Sequence, residues 1–332
     1  FRMSSIVDAQ VTRHLLSYKT PITTAKGTFA ERPTIILSIR DQDGRIGLGE
    51  ACPMTGFTHE TIDETESAIL NWLNDEGQDS PPSIPTARAA IEGALFDLRA
   101  KQENVSLSQH LNPESSLKIP VSVLVNGETS KELVSNAERI VSDGFTSIKI
   151  KIGSQSPDRD ISLVKAVRAA VGFDVSIRLD ANGAWTPEEA ISNLDRMSDL
   201  SIEFVEEPTS GIDNLKKVKS ACDIPIAADE TASDLKAIAA LIDKQSVDCI
   251  ILKPSAIGGI VPSSEVVHAA RESGLDVVVT SILESSIGIN IAAHFSSAFQ
   301  TTSPAPGLAT SYLLVNDLVS PLTLKDGHIH LD

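Results

Sequence analysis

The pattern of apolar and polar residues changes about a third of the way along the 332-residue chain. In the first third, two runs of strand-forming residues, 34–39 and 46–50, flank the turn-forming sequence Asp-Gln-Asp-Gly at residues 41–44. Asp and Gly tolerate the left-handed backbone angles of tight turns, so the pattern predicts a β-hairpin. Two further stretches, near residues 60–73 and 87–101, are predicted to be helices; the second places its apolar residues on one helical face.

From Lys118 onward, short apolar segments alternate with helical stretches. Strands are predicted for residues 119–124, 147–152, 176–179, 203–205, 224–227, 249–252 and 277–280. Short, continuously apolar strands are typical of sheets that helices cover. Seven such units, followed by an irregular segment near residues 307–314, fit a closed barrel better than an open sheet. An open doubly wound sheet is the alternative, which the lack of a Gly-x-Gly-x-x-Gly motif after any early strand disfavours.

Carboxylates end three consecutive predicted strands. Asp180, Glu206 and Asp229 are separated by 26 and 23 residues, about one strand–helix unit each. In a barrel, consecutive strand ends lie side by side at the face where active sites are built. Three like charges at one point repel each other unless a cation neutralises them. Because the pattern contains no His or Cys, it favours Mg2+ over zinc.

Lysines occupy neighbouring strand ends. Lys149 and Lys151 alternate with isoleucines, so both side chains face the same side of their strand, and Lys253 ends a later strand. A metal and clustered ammonium groups lower the pKa of a lysine, which makes a neutral general base available near pH 7. The metal would hold a substrate carboxylate and stabilise an enediolate. The predicted reaction class is proton abstraction alpha to a carboxylate.

Each of these motifs alone has a simpler interpretation. A Lys-x-Lys strand is more often a solvated face, an acid after a strand commonly caps the next helix, and Lys253 alone could extend to solvent from its strand end. The prediction depends on the joint pattern, which is six polar strand ends in order with consistent spacing.

The composition of the chain excludes some classes of binding partner. The formal net charge of −17 argues against nucleic acid, whose phosphates require concentrated Lys and Arg. No apolar run reaches the roughly 18 residues that cross a bilayer. The three cysteines, Cys52, Cys222 and Cys249, lack metal-type spacing, and their odd number indicates reduced thiols. We expect a cytoplasmic protein that binds a small-molecule carboxylate and has no nucleic-acid or membrane partner. Assembly into a homo-oligomer is left open.

The ordered motifs resemble the muconate-lactonizing subgroup of the enolase superfamily over nearly the whole chain. They are Lys149-Ile150-Lys151, Asp180-Ala181-Asn182, Glu206-Glu207-Pro208, Ala228-Asp229-Glu230, the segment 248–259 and the helix 90–101. The resemblance implies an α/β fold, a modified (β/α)7β TIM-like barrel with an N-terminal α+β capping domain. The cap would comprise residues 3–117 and the barrel 118–314, and a C-terminal segment, 315–332, would pack back on the cap.

The same resemblance implies the roles of the site residues. Mg2+, with Mn2+ as a substitute, would bind Asp180, Glu206 and Asp229. Lys151 and Lys253 would act as acid and base, Lys149 would assist, and Asn182 would contact the substrate. Cap residues 20–29 and 52–59 would form the specificity loops.

Within the subgroup, residues 280–290 and 307–310 resemble the o-succinylbenzoate synthases of menaquinone biosynthesis. That resemblance implies a syn dehydration in which Lys151 removes the alpha proton and then protonates the departing hydroxyl, while Lys253 stays charged. Ser281, Ser285 and Leu308 would lie near the succinyl arm, although helix capping explains the two serines equally well. Ala309 departs from the glycine that is more frequent in those enzymes.

Dipeptide epimerase is the second interpretation. Those enzymes typically carry Asp-x-Asp on the eighth strand to hold the substrate ammonium group, whereas residues 307–310 contain no carboxylate. A buried ammonium without a counter-charge is costly, which disfavours this alternative. Muconate cycloisomerase and N-succinylamino acid racemase also remain open. A non-catalytic barrel that serves as a scaffold is disfavoured by the complete set of acids and lysines.

Overall fold

Strands form three sheets in residues 6–24, 27–74 and 80–331, the part of the chain that this computed structural model describes. The strands are β1 (Ile6–Thr24), β2 (Gly27–Asp41), β3 (Ile46–Ala51), β4 (Lys118–Pro120), β5 (Val123–Leu124), β6 (Ser147–Lys151), β7 (Ser176–Asp180), β8 (Ile202–Glu206), β9 (Ile226–Ala228), β10 (Cys249–Leu252), β11 (Asp276–Val279), β12 (Thr323–Lys325) and β13 (His328–His330). The helices are α1 (Ile62–Asn74), α2 (Pro85–Glu103), α3 (Leu107–Leu111), α4 (Ser130–Ser142), α5 (Pro157–Val171), α6 (Pro187–Asp195), α7 (Ile212–Lys219), α8 (Leu235–Asp243), α9 (Pro254–Ile257), α10 (Ile260–Glu272) and α11 (Ser286–Ala298). Residues 3–5, 25–26, 75–79 and 332, which the predicted domains and the first specificity loop include, lie outside the described residues.

The N-terminal sheet is antiparallel, with the order β1-β2-β3. The backbone N–H groups of Asp43 and Arg45 donate to Asp41 Oδ1 at 3.0 and 2.9 Å and close the turn between β2 and β3. The predicted hairpin is therefore confirmed. Helix α2 packs directly on β3, where a Cβ on Gly49 would lie 1.8 Å from the carbonyl oxygen of Ala90. Only glycine permits this approach, which brings the apolar face of α2 onto the sheet.

The second sheet is parallel and runs from β5 to β11 in sequence order. An irregular segment closes it into a barrel, as the sequence predicts. Gly307 N–H donates to Val279 O at 2.8 Å on one side, and Ser122 N–H donates to Pro306 O at 2.9 Å on the other. Parallel strands that close in this way bring all their C-terminal ends to one rim.

The predicted strand 119–124 is divided in two. β4 leaves the barrel and pairs with β13, whereas β5 pairs with β6. Pro120 has no N–H to donate to a neighbouring strand, and the next N–H, that of Val121, donates to Gly327 O rather than to the barrel.

The C-terminal segment divides between the two domains. Val315 N–H donates to Ser17 O of the cap, and Leu318 packs in a cluster with Leu16 and Tyr18. The hairpin of β12 and β13 instead joins β4, and Ile329 and Leu331 are buried in the barrel core. Packing on the cap therefore applies only to the start of the predicted segment 315–332.

The interior of the barrel is filled beneath the rim. Phe204, Ala227, Cys249, Ile251 and Val278 form a buried cluster of inward-facing side chains. The barrel is thus packed, and the open space lies at the C-terminal ends of its strands. No helix in the described residues is long and apolar enough to span a bilayer.

Candidate active site

The predicted lysines and carboxylates meet at the C-terminal rim of the barrel. Strand pairing sets Lys151 opposite Asp180, and Asp180 opposite Glu206. Asp229 and Lys253 follow β9 and β10 directly. One cavity of about 190 Å³ is lined by all six predicted residues, which are Lys149, Lys151, Asp180, Glu206, Asp229 and Lys253.

Two of the lysines form ion pairs with the three carboxylates. Lys149 Nζ donates to Asp180 Oδ2 at 2.8 Å and also to Glu206 Oε2. Lys253 Nζ donates to Asp229 Oδ1. Within the described residues, no three acidic, histidine or cysteine side chains already stand in a metal-ligand cluster. The lysine ammonium groups are the cations that the carboxylates contact.

The electrostatics of the site reflect this crowding. Burial raises the pKa of Glu206 to about 7, with Asp180 and Asp229 adding to the rise while Lys149 opposes it. Burial would likewise raise the pKa of Asp180, but Lys149 and Lys151 outweigh it and hold that pKa below its usual value. Three buried carboxylates that offer only oxygen ligands, two of which raise the pKa of the third, fit a hard divalent cation such as Mg2+.

The neighbouring carboxylates determine the direction of the pKa shift of two lysines. Burial lowers the pKa of Lys149 and Lys253, but the neighbouring carboxylates outweigh burial, so the pKa of both lysines is raised. The depression predicted from the sequence refers to the metal-bound site and stays a prediction. It requires the positive charge of a divalent cation on the same carboxylates.

Glu207, which the sequence analysis included only as part of a motif, holds the loop that carries Asp229. Its Oε2 accepts the backbone N–H groups of Asp229 at 2.9 Å and Thr231 at 3.2 Å, and its Oε1 accepts the Thr231 hydroxyl. Burial raises the pKa of Glu207 to about 7. The available signal was strand alternation, which favours opposite directions for the side chains of two adjacent acids at a strand end.

Asn182 lies at the cavity, as predicted for a substrate-binding residue. Its Nδ2 donates to Glu230 Oε1 at 3.0 Å, and its backbone N–H donates to Asp180 Oδ1 at 3.1 Å. The backbone of Asn182 is left-handed, with φ of 46°, a conformation that Asn tolerates better than most residues. Asn182 therefore connects the loops after β7 and β9.

The other predicted substrate contacts separate into two groups. Ser281 lines the cavity, and its hydroxyl is hydrogen-bonded to the Thr310 hydroxyl at 2.8 Å. Ser285 and Leu308 do not line it, contrary to the prediction. Ser285 caps α11, so the capping interpretation applies to it. Leu308 is buried in the barrel core, because alternation turns its side chain away from the face that Gly307 and Ala309 share.

The cap covers one side of the cavity. Met54 and Phe57 come from the predicted loop 52–59, and Ile22 comes from β1. The Phe57 ring centroid lies 5.7 Å from Lys253 Nζ, within the range of a cation–π contact. These side chains place an apolar cover over the charged strand ends.

Glu50 joins the cap to the barrel. Its carboxylate accepts the N–H of Ser285 at 3.0 Å, the N–H of Gly288 at 2.9 Å and the Ser285 hydroxyl at 2.5 Å. The carboxylate thus satisfies free donors at the N-terminus of α11. The cap is thereby tied to the segment that leads from Ser281 into α11.

Comparison with known proteins supports the same fold. The family described as "Enolase C-terminal domain-like" matches residues 132–332. The chain is 32% identical to the L-Ala-D/L-Glu epimerase of Bacillus subtilis over 88% of this chain and 85% of that protein. It is 26% identical to the N-succinyl-L-Arg/Lys racemase of Bacillus cereus over 96% and 88% of the two chains. It is 25% identical to muconate cycloisomerase 1 of Acinetobacter baylyi over 90% and 87%.

Solved structures superpose on nearly the whole chain. A substrate-liganded complex of the Bacillus subtilis epimerase gives a TM-score of 0.87 at 28% identity, covering 99% of this chain and 96% of that one. The dipeptide epimerase of Enterococcus faecalis, in complex with Mg and the dipeptide L-Leu-L-Tyr, gives 0.87 at 30% identity, covering 99% and 97%. The predicted barrel with an N-terminal capping domain is confirmed.

Proposed function

The chain belongs to the enolase superfamily, and from that membership we propose that it is a Mg2+-dependent isomerase that inverts the carbon alpha to a substrate carboxylate. The observation that carries the proposal is the single cavity lined by Lys151, Lys253 and the three carboxylates Asp180, Glu206 and Asp229. Relatives named as epimerases and a racemase support inversion better than the dehydration first favoured by the sequence.

The positions of the two lysines suit proton transfer on opposite faces of a substrate. Lys151 ends β6 and Lys253 follows β10, four strands away in a barrel whose eighth position is filled by residues 306–307. Four steps out of eight bring the lysines to opposite sides of the rim. One lysine removes the alpha proton and the other delivers a proton to the opposite face, which inverts the carbon.

The remaining charged residues hold and neutralise the substrate carboxylate. Asp180, Glu206 and Asp229 would hold Mg2+, which when bound supplies positive charge against the negative charge that develops on that carboxylate as the proton leaves. Lys149 contacts two of these acids and adds a second positive charge on the same side. The apolar cover of Met54 and Phe57 keeps water from the reacting carbon. Mn2+ is proposed as a substitute ion.

Deuterium exchange at the alpha carbon tests the proposal. Dipeptides and N-acylated amino acids would be incubated in D2O with and without Mg2+ and followed by proton NMR. We expect exchange with inversion only in the presence of Mg2+. Lys151→Ala and Lys253→Ala should each lower inversion by about 10³-fold, because each removes one acid–base group.

Lys244→Ala supplies the matched control, since Lys244 is an exposed lysine paired with Asp213. It should retain full inversion. The proposal fails if no substrate exchanges its alpha proton, or if both cavity variants keep the rate of the unaltered enzyme. Mg2+ binding, measured by calorimetry, should persist in both variants.

The syn dehydration that yields o-succinylbenzoate is a second candidate. The observation that favours it is the eighth segment, residues 307–310, which offers no carboxylate to a substrate ammonium group. Both reactions begin with removal of the same alpha proton by Lys151. Incubation with 2-succinyl-6-hydroxy-2,4-cyclohexadiene-1-carboxylate separates them, because Mg2+-dependent loss of its absorbance would favour dehydration.

A further inference from the structure

The cavity divides into a charged half and an uncharged half. The charged half comprises the strand ends from β6 to β10 with their lysines and carboxylates. The opposite half is formed by the end of β11, the eighth segment and the cap. Among the described residues, the side chains that line this half carry no charge and include Ile22, Met54, Leu283, Ala309, Tyr312 and Leu313. If the substrate carboxylate lies in the charged half, the rest of the substrate therefore lies against the uncharged half.

In the part of the chain that the structure describes, the acidic side chains that line the cavity are confined to the charged half. Among the described residues that line the cavity, the carboxylates are Asp180, Glu206, Asp229 and Glu230. Glu230 follows Asp229 directly and accepts a hydrogen bond from Asn182, so it belongs with the others. Residues 25 and 26 of the first predicted specificity loop are alanine and lysine, which supply no carboxylate.

The uncharged half does offer one hydrogen bond to a neutral group. The hydroxyls of Ser281 and Thr310 share a single hydrogen bond of 2.8 Å. Two hydroxyls carry two protons, so one proton remains to donate to a carbonyl oxygen in the cavity. An amide carbonyl matches this donor, whereas an ammonium group finds no acid and would be buried without a counter-charge.

We propose that the substrate is an N-acylated alpha-amino acid whose acyl group is neutral, rather than a dipeptide with a free ammonium group. This inference rests on the proposed isomerase function. The alpha carboxylate lies in the charged half, and the acyl group lies against the uncharged half with its carbonyl at the Ser281–Thr310 pair.

Matched substrate pairs test the inference on the unaltered enzyme. An N-propionyl amino acid and the corresponding L-alanyl dipeptide differ only by the ammonium group. Pairs built on leucine, phenylalanine and glutamate would be compared by kcat/KM for alpha-deuterium exchange with Mg2+. We expect the propionyl compound to exceed its alanyl partner by at least about tenfold in every pair that reacts.

The possible outcomes distinguish a failure of this inference from a failure of the proposed isomerase function. Equal rates, or a preference for the alanyl compounds, overturn the inference and leave the isomerase intact. The absence of exchange with every member of both series overturns the isomerase function itself. Loss of alanyl exchange without loss of propionyl exchange in Glu230→Gln would identify Glu230 as an ammonium site and would likewise overturn the inference.

Charge placed in the uncharged half provides a second test. Ala309→Asp adds a carboxylate to the cavity, and Ala309→Asn is the neutral control of the same shape. We expect the aspartate variant alone to shift the alanyl-to-propionyl ratio of kcat/KM upward by about tenfold or more. An equal shift in both variants contradicts the inference. Thr310→Asp, at a less buried position, repeats the test if Ala309→Asp does not fold.

Discussion

At the scale of single residues, Glu207 governs the position of a proposed metal ligand without lining the cavity. In Glu207→Ala the backbone N–H groups of Asp229 and Thr231 lose their acceptor. We expect Mg2+ affinity, measured by calorimetry, to fall roughly 10- to 100-fold, as for other residues that orient metal ligands. Glu207→Gln keeps one acceptor oxygen and should lose less.

Glu188→Ala is the control for this change, because Glu188 is an exposed acid on α6 paired with Lys217. Its Mg2+ affinity should equal that of the unaltered protein. Affinity that stays constant in Glu207→Ala, with the fold intact by circular dichroism, would show that Asp229 needs no such support.

The residues of the site could be predicted from the sequence where the fold itself brings their strand ends together. Asp180, Glu206 and Asp229 could be assigned to one point because consecutive barrel strands end side by side. Ser285 and Leu308 could not be assigned correctly. One residue along a strand reverses the face of a side chain, and the partner of Ser285 is Glu50, which lies far away in sequence.

At the scale of elements, the contact between Glu50 and α11 joins the two domains. Glu50→Ala removes the acceptor for two backbone N–H groups and for the hydroxyls of Ser285 and Thr34. We expect the free energy of unfolding in urea to fall by about 3 kcal/mol, since buried donors lose a charged acceptor. Glu31→Ala, at an exposed position on β2, should change it by less than about 0.5 kcal/mol. Equal losses in the two variants would refute this role for Glu50.

The order of elements was largely predictable because strand and helix periods alternate so regularly after Lys118. The division between β4 and β5 was not, since nothing in the apolar run marks where pairing changes. The partner of β4 (Lys118–Pro120) is β13 (His328–His330), which is far away in sequence. Such pairing depends on tertiary structure that local periodicity does not encode.

At the scale of the whole molecule, His294 makes stability depend on pH. Burial lowers its pKa from 6.5 to about 4, and its Nδ1 accepts the Ser108 N–H at 3.2 Å. Between these pH values the unfolded chain binds the extra proton and the folded chain does not. The stability that neutral His294 contributes is therefore fully present above pH 6.5 and is lost as the pH falls towards 4. We expect the loss to amount to about 3 kcal/mol.

Comparison of the unaltered protein with His294→Asn isolates the contribution of His294 to the pH dependence of stability. Other buried groups titrate in the same pH range, but they do so in both proteins. Asparagine can still accept the Ser108 N–H but does not titrate. Urea unfolding at pH 4.5 and pH 7 should show a smaller acid-induced loss of stability in the variant. Identical losses would mean that His294 is not the group responsible.

The central claim is that Asp180, Glu206 and Asp229 hold one divalent cation between the two lysines. Anomalous diffraction from crystals soaked in Mn2+ addresses it directly. We expect a single strong peak among these three carboxylates, displaced by excess Mg2+ and lost in Asp180→Asn. A peak at another place, or none at this rim, would contradict it.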